Sequence, residues 1–198
     1  MAMPETLQAR YRQGQIAHAS ARLFAENGYF ETTMDDVADA VGLAKASLYH
    51  YVRSKGEIVC LIHNGLADYL IGKLEARIAS ELPLDVLHGV FVDIVEAMDS
   101  HPGHLKVYFE YRSAIPDAFQ ADARARRDRY WAIVQSVIDE AVSSGQLQTD
   151  NARLTSLAIF GMCNWSYQWY KSTGEMSPSI IADHFWDIFY RGVGVHRQ

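Results

Sequence analysis

Residues 32–51 read TTMDDVADAVGLAKASLYHY, and this stretch decides the fold of the N-terminal part of the chain. Thr33 followed by Asp36 is a variant of the capping box, in which two side chains satisfy free amides at the start of a helix. Apolar residues then recur at helical spacing until Gly42, which suits the left-handed conformation that ends a helix. The pattern predicts one short helix, a tight turn and a second helix that begins near Lys45.

The second short helix is predicted to have one buried and one exposed side. Leu48 and Tyr51 form its apolar side. The opposite side carries side chains that can reach phosphates or base edges, namely Lys45, Ser47, Tyr49 and His50. Two helices in this arrangement form a helix-turn-helix, a motif that places its second helix in the major groove of DNA.

Composition favours a protein with a packed core in a reducing cytoplasm. Apolar residues make up 49% of the chain, and no apolar run is long enough to cross a membrane. The polar first 15 residues lack the apolar region of a secretory signal. Cys60 and Cys163 each lie in an apolar helical pattern, which predicts buried free thiols rather than a disulfide framework.

The acidity of the chain lies outside the helix-turn-helix. The net charge is −6, whereas residues 1–56 carry six basic and six acidic side chains. This part has a locally basic edge at Lys45, Arg53 and Lys55. Because so few cations attract DNA phosphates only modestly, we expect a dimer to present two copies.

The remainder of the chain also shows helical spacing of apolar residues, and no sustained alternation indicates a strand. The sequence therefore predicts an all-α fold of about nine helices. Outside the motif, the expected helices cover roughly residues 6–27, 54–80, 83–99, 105–113, 116–142, 151–172 and 178–192. The helix that begins at residue 54 is long enough to connect a small N-terminal unit rigidly to a larger one.

Residues 25–55 read AENGYFETTMDDVADAVGLAKASLYHYVRSK, and this longer stretch resembles the N-terminal signature of TetR-family transcriptional regulators. The similarity is specific over about residues 10–60. One departure is Ala46, where many members have glycine. The resemblance implies a helix-turn-helix DNA-binding domain over residues 1–56 and a ligand-binding and dimerisation domain over residues 57–198.

The resemblance also implies which residues contact operator DNA. They are Thr33, Lys45, Ala46, Ser47, Tyr49, His50 and Lys55. The first residues of the second motif helix would face base edges or nearby backbone, and Tyr49 and His50 would contact phosphates. Thr33 and Lys55 lie at helix N-termini, where free amides and the helix dipole favour an anion. The alternative is that Tyr49 packs against the first helix and His50 is an ordinary surface residue.

Aromatic side chains crowd the C-terminal part of the chain. Residues 160–170 read FGMCNWSYQWY, and aromatics this dense cannot all point one way on a helix. A lone subunit would leave much of this apolar surface exposed. The family's usual dimer, a four-helix bundle of the last two helices of each subunit, would cover it. The implied dimer residues are Trp169, Ile181, Phe185, Trp186 and Phe189.

Residues 108–112 and 161–170 further resemble family members that sense acyl-CoA thioesters and control lipid or steroid degradation. An acyl chain needs an apolar tunnel, and the phosphates of coenzyme A need cations near its mouth. The candidate ligand-binding residues are Ile62, Leu66, Val90, Ile94, Met98, Phe109, Arg112, Arg127, Val134, Phe160, Asn164 and Trp165. The alternatives are plain core packing for the apolar residues and a solvated, ion-paired helix face for the basic run over residues 124–129.

These patterns predict a homodimeric repressor that a small hydrophobic effector, such as an acyl-CoA, releases from a palindromic operator. One alternative is a drug-sensing repressor of an efflux gene. A second is a helical enzyme or carrier, although the sequence contains no nucleophile motif and no Walker loop. We predict no cofactor and no membrane partner. We also predict no metal site, because His101 and His104 lack an accompanying cysteine or carboxylate cluster.

Overall fold

A computed structural model describes residues 5–194 of the chain, with side chains from residue 7 onward. Among these residues it contains nine α-helices, two 3₁₀ segments and no strand beyond a single bridge between Leu147 and Gly194. This confirms the predicted all-α fold. The helices are α1 (Glu5–Asn27), α2 (Met34–Ala40), α3 (Lys45–Leu48), α4 (Lys55–Ile78), α5 (Pro83–Ser100), α6 (His104–Glu110), α7 (Asp117–Ser143), α8 (Ala152–Asn164) and α9 (Pro178–Val193). None of the helices in the described range combines the length and apolarity needed to span a bilayer.

Most helix ends follow from local signals in the sequence. Asn151 accepts a hydrogen bond from the amide of Leu154 at the start of α8, and Ser177 caps α9 with proline in its first turn. Gly28 closes α1 with φ of 95°, in the left-handed region that favours glycine. These ends agree with the boundaries predicted from the sequence.

The predicted extent of α8 is wrong. The helix was expected to reach residue 172, but it ends at Asn164 and a 3₁₀ segment follows over Ser166–Gln168. The buried Ser166 carbonyl accepts the amide of Tyr170, whose hydroxyl donates to Asp99 on α5 at 2.7 Å. This hydrogen bond attaches the segment after α8 to α5.

Contacts divide the chain into two compact units. The first comprises the chain up to Leu66 together with His101–Ala125, and the second comprises Ala67–Ser100 and the chain from Arg126 onward. Helices α4 and α7 each contribute residues to both units. The domain boundary predicted at residue 56 remains a prediction.

One apolar core holds the first unit together. Phe24 of α1, Leu48 of α3 and Ile58 of α4 are fully buried in it. The start of α6 lies close to α1. A Cβ on Gly103, the residue before α6, would collide with the carbonyl of Ala21 on α1. Gly103 has φ of 80°, which also requires glycine. This close approach fixes α6 against the helix that supports the helix-turn-helix.

His104 lies buried at this contact. Its ring packs beside those of His18 and His101, with centroids 5.4 and 5.2 Å away, and its Nδ1 bonds the carbonyl of Pro102. Burial lowers the pKa of His104 to about 4. The described residues include no group of three histidine, cysteine or acidic side chains suited to hold a metal ion.

This burial predicts a loss of stability in mild acid. The folded protein keeps His104 neutral down to pH about 4, whereas the unfolded chain takes up the proton near pH 6.5. The His104 contribution is therefore fully present above pH 6.5 and is lost as the pH falls towards 4. Between pH 7.5 and 5 this loss amounts to about 2 kcal/mol. Urea unfolding should show a smaller loss for His104→Phe; an equal loss would contradict the assignment.

A buried ion pair joins α4 to α5 in the second unit. The Asp93 carboxylate is almost fully buried and accepts two hydrogen bonds from Arg77, at 2.8 and 3.0 Å. Lys73 lies 3.5 Å from the same carboxylate. Gly89 makes room for this arrangement, because a Cβ there would overlap the Arg77 side chain. A bidentate pair of this kind fixes the register of the two helices.

We predict that Asp93→Ala lowers the free energy of unfolding by about 2–4 kcal/mol, because it removes the bidentate partner of a partly buried guanidinium and leaves it only the pair with Glu81. The matched control is Asp187→Ala, which removes the exposed pair between Asp187 and Arg191 on α9. That change should cost no more than about 0.5 kcal/mol. Equal effects of the two variants in urea denaturation would contradict the assigned role of Asp93.

Candidate nucleic-acid interface

The predicted capping box at the start of α2 is confirmed. The Thr33 amide and hydroxyl both donate to the Asp36 carboxylate, at 2.7 and 2.8 Å, and the Asp36 amide donates back to the Thr33 hydroxyl at 3.2 Å. The hydrogen bond from the Thr33 backbone, with that from its side chain, lowers the pKa of Asp36. The Thr33 hydroxyl therefore both donates and accepts within the cap.

A glycine turn connects α2 to α3. Gly42 has φ of 64°, and the amide of Leu43 bonds back to the carbonyl of Ala38 at 2.9 Å. The turn delivers Leu48 into the core, where it is fully buried. Helix α3 ends at Leu48 and hydrogen-bonded turns carry the chain on to Val52, so the helical part is shorter than predicted.

Burial of Leu48 leaves the opposite side of this segment in solvent. Lys45, Ala46, Tyr49 and His50 are exposed, and Ser47 is half-buried. These side chains therefore form one accessible surface, which we call the recognition face. The end of the segment is tied to α1, because Gln13 donates a hydrogen bond to the carbonyl of Tyr51 at 3.1 Å.

Lys45 has an acidic partner that the sequence did not reveal. Its ammonium lies 2.8 Å from the carboxylate of Asp35 on α2, and both side chains are more than half exposed. The hydrogen bond and charge of Asp35 raise the pKa of Lys45. Solvent weakens such an exposed pair, so a DNA phosphate can replace the Asp35 carboxylate. Ten residues separate the two positions, and no local pattern signals their contact.

Lys55 is held inside the first unit. Its ammonium donates to the carbonyls of Tyr29, Phe30 and Thr32, at 2.5, 3.2 and 2.8 Å. At the start of α4, the Ser54 hydroxyl accepts a hydrogen bond from the amide of Glu57, and the Glu57 carboxylate accepts one from the amide of Arg53. The phosphate contacts predicted for Thr33 and Lys55 stay predictions, and each side chain would have to leave its present partners to make them.

The candidate effector residues belong to different units. Ile62, Leu66, Phe109 and Arg112 lie in the first, while Val90, Ile94, Met98, Arg127, Val134, Phe160, Asn164 and Trp165 lie in the second. Most of the apolar ones are buried, but Phe109 and Trp165 are exposed. In the second unit Phe160 stacks on Trp131 with centroids 5.5 Å apart. Their role in effector binding remains a prediction.

Most arginines of the basic run on α7 carry intramolecular ion pairs. Arg126 binds Asp68 at 2.9 Å and Arg129 binds Glu75 at 2.6 Å, which attaches α7 to α4 within the second unit. Arg127 pairs with its neighbour Asp128 and lies over the ring of Trp131. An ion-paired helix face was one of the two alternatives for this run, and its partners on α4 lie too far away in the sequence for spacing to indicate them.

The predicted dimer residues divide into buried and accessible ones. Ile181 and Phe189 are buried in their own subunit, where Phe189 packs against Phe91 of α5. Trp186 packs on the same Phe91 ring and Phe185 on Trp169. Trp169 is the accessible one, at 40% exposure. The exposed apolar residues of α8, its C-cap and α9 are others, at Leu154, Ala158, Gly161, Trp165, Ile180 and Ile188. On α9 the exposed apolar residues are therefore Ile180 and Ile188, each adjacent in sequence to one of the buried residues Ile181 and Phe189.

Both parts of the chain match one protein family. Residues 16–60 match the bacterial regulatory proteins of the tetR family, and residues 80–193 match the tetracyclin repressor-like C-terminal domain. The HTH-type transcriptional repressor KstR2 of Mycobacterium tuberculosis is 24% identical over 192 residues, which cover 94% of each chain.

Solved structures share the whole fold. PfmR, a TetR-family regulator from Thermus thermophilus, superposes with a TM-score of 0.83 at 25% identity and covers 92% of this chain and 100% of its own. AibR, solved with isovaleryl coenzyme A and operator DNA, has a TM-score of 0.77 at 23% identity and covers 90% and 97%. The chain belongs to the TetR family and is a DNA-binding transcriptional regulator rather than an enzyme.

Proposed function

We propose that this protein is a homodimeric repressor that binds a palindromic operator in the bacterial cytoplasm and is released by a small hydrophobic effector. The recognition face carries the proposal, because its exposed side chains stand on a segment that Leu48 anchors in the core. Repression is supported by the similarity to KstR2, a repressor that aligns over nearly the whole chain.

The proposed DNA contacts come from the exposed recognition face. Lys45 and the adjoining Ala46 and Ser47 face base edges or nearby phosphates, and Tyr49 and His50 bind the backbone. Lys45 exchanges the carboxylate of Asp35 for DNA when it binds. The two recognition faces of a dimer must lie about 34–36 Å apart, one turn of DNA, which a palindromic operator matches.

Dimerisation is supported by an apolar stripe on α8. Leu154, Ala158 and Gly161 are exposed and recur at intervals of four and three residues along one side of the helix, and the exposed Trp165 follows at its C-cap. Ile180 and Ile188 of α9 are exposed as well, at 57% and 53%. Apolar surface of this extent favours a second copy as its partner, in a two-fold four-helix bundle.

For the effector we propose an acyl-CoA thioester. The fold is shared with AibR, which was solved with isovaleryl coenzyme A, and residues 108–112 and 161–170 resemble acyl-CoA-responsive members of the family. Arg112 is exposed on the 3₁₀ segment after α6 and is a cation for the phosphates of coenzyme A. A drug-like hydrophobic cation is the competing effector class. The positive charge of Arg112 favours an anionic acyl-CoA over such a cation.

We predict that Lys45→Ala weakens operator binding at least tenfold without changing the dimer, because each subunit loses a charged contact. The operator is first selected from random duplexes by the wild-type protein. Fluorescence anisotropy at physiological salt then measures affinity, and sedimentation measures the oligomeric state. Wild-type affinity for Lys45→Ala would contradict the recognition face, and a monomeric wild type would contradict the dimer.

Asp35→Asn is expected to strengthen DNA binding in the same assay, because Lys45 no longer has to leave a carboxylate. Asp39→Asn is the matched control, since Asp39 is also exposed on α2. Any gain from Asp35→Asn beyond that of the control should vanish when Lys45 is already alanine. Equal gains from both substitutions would show that only the net charge matters.

We predict that acyl-CoAs release the protein from its operator and that hydrophobic cations do not. The comparison uses a series of acyl-CoAs, free coenzyme A and a panel of cationic dyes, each titrated into the protein–operator complex. Because linkage is reciprocal, operator DNA must weaken effector binding by the same factor, which calorimetry can measure. Release by the dyes alone would favour a drug-sensing repressor instead.

A further inference from the structure

The ammonium of Lys55 lies in a cup of backbone carbonyls beside the helix-turn-helix. Three carbonyl oxygens, of Tyr29, Phe30 and Thr32, accept from it at 2.5, 3.2 and 2.8 Å. An ammonium has three N–H donors and no more. The same nitrogen lies 4.6 Å from the centre of the Tyr29 ring, within the range of a cation–π contact.

The cup itself is fixed to the rest of the first unit. The Tyr29 ring stacks on Tyr111, with centroids 5.3 Å apart, and meets Phe24 of α1 edge-on at 5.2 Å. Thr32 is buried, and its hydroxyl donates to the carbonyl of Gly28 at 2.8 Å. The next residue, Thr33, is the N-cap of α2. Whatever holds this loop therefore sets where α2 begins.

We propose that Lys55 is a positioning residue for DNA binding rather than a phosphate contact. It fastens the loop over residues 29–32 to the first turn of α4, and so holds α2 and the recognition face in the orientation that DNA requires. The inference rests on the proposed function of this unit as an operator-binding domain. Lys45 and Lys55 then have different roles. Lys45 is exposed and contacts DNA, whereas Lys55 is half-buried and positions the loop.

Two measurements separate positioning from phosphate contact. A lysine that neutralises a phosphate contributes about 0.9 to the slope of log K against log salt, whereas a positioning lysine contributes nothing to it. The Lys55→Arg variant also separates the two roles, because a guanidinium can replace an ammonium as the partner of a phosphate. Its planar fork cannot direct N–H groups from one nitrogen to three converging carbonyls.

The experiment compares Lys55→Arg, Lys55→Met and Tyr29→Leu with Lys45→Ala as the contact control, by operator anisotropy at several salt concentrations. Folding and dimerisation are verified for each variant. We expect both Lys55 variants to weaken binding about tenfold with an unchanged salt slope. Tyr29→Leu should weaken binding in the same way, and combining it with Lys55→Met should add little. Lys45→Ala should lower the slope by about 2 in a dimer.

Binding of Lys55→Arg at wild-type affinity, or a slope lowered by either Lys55 variant as much as by Lys45→Ala, would overturn the inference. Additive losses in the Tyr29 and Lys55 double variant would do so too. A wild-type protein that prefers no duplex would instead defeat the proposed function. The loop contact would then be judged by thermal melting, where Lys55→Arg should melt at least ~3 °C below wild type and an unchanged midpoint would overturn it.

Discussion

The burial of Leu48 is the constraint on which the recognition face depends. Helix α3 has four residues, far too few for a helix to persist in water by its own hydrogen bonds. Its conformation must come from tertiary contacts, and Leu48 supplies the apolar one by entering the core beside Phe24 and Ile58. Gln13 holds the carbonyl at the far end of the segment. The side chains of the recognition face, which we propose to contact DNA, are thus presented by the core rather than by the short helix that carries them.

Features set by neighbouring residues were accessible from the sequence, and features set by distant residues were not. The capping box of Thr33 and Asp36 and the left-handed Gly42 involve residues at most a few positions apart, so spacing alone predicts them. The partners of Lys45 and Lys55 lie ten and more than twenty residues away. Only the packing of the first unit brings them together.

The C-terminal helices show the same limit in a different form. Their aromatic and aliphatic content predicts more apolar surface than one helix face can hold, but not which residues are buried in the subunit. Packing of α9 on α5 decides this, because it buries Phe189 against Phe91 and leaves Ile188 exposed. After the early end of α8, the hydroxyl of Tyr170 reaches Asp99, more than seventy positions away in the sequence. A periodic pattern fixes neither contact.

Several cations that could bind an anion already form ion pairs with carboxylates of the same chain. Asp35 binds Lys45, and Asp68 and Glu75 bind two arginines of α7. In an acidic chain, binding of a phosphate at such a site is an exchange of one anion for another, so its net free energy is smaller than the attraction of a free cation. Random DNA offers phosphate contacts without matching base contacts, so the exchange adds little to its binding free energy. Operator DNA adds contacts to base edges, so under the proposed function we expect the pairing of Lys45 with Asp35 to weaken binding to random sequence and to leave discrimination to the bases.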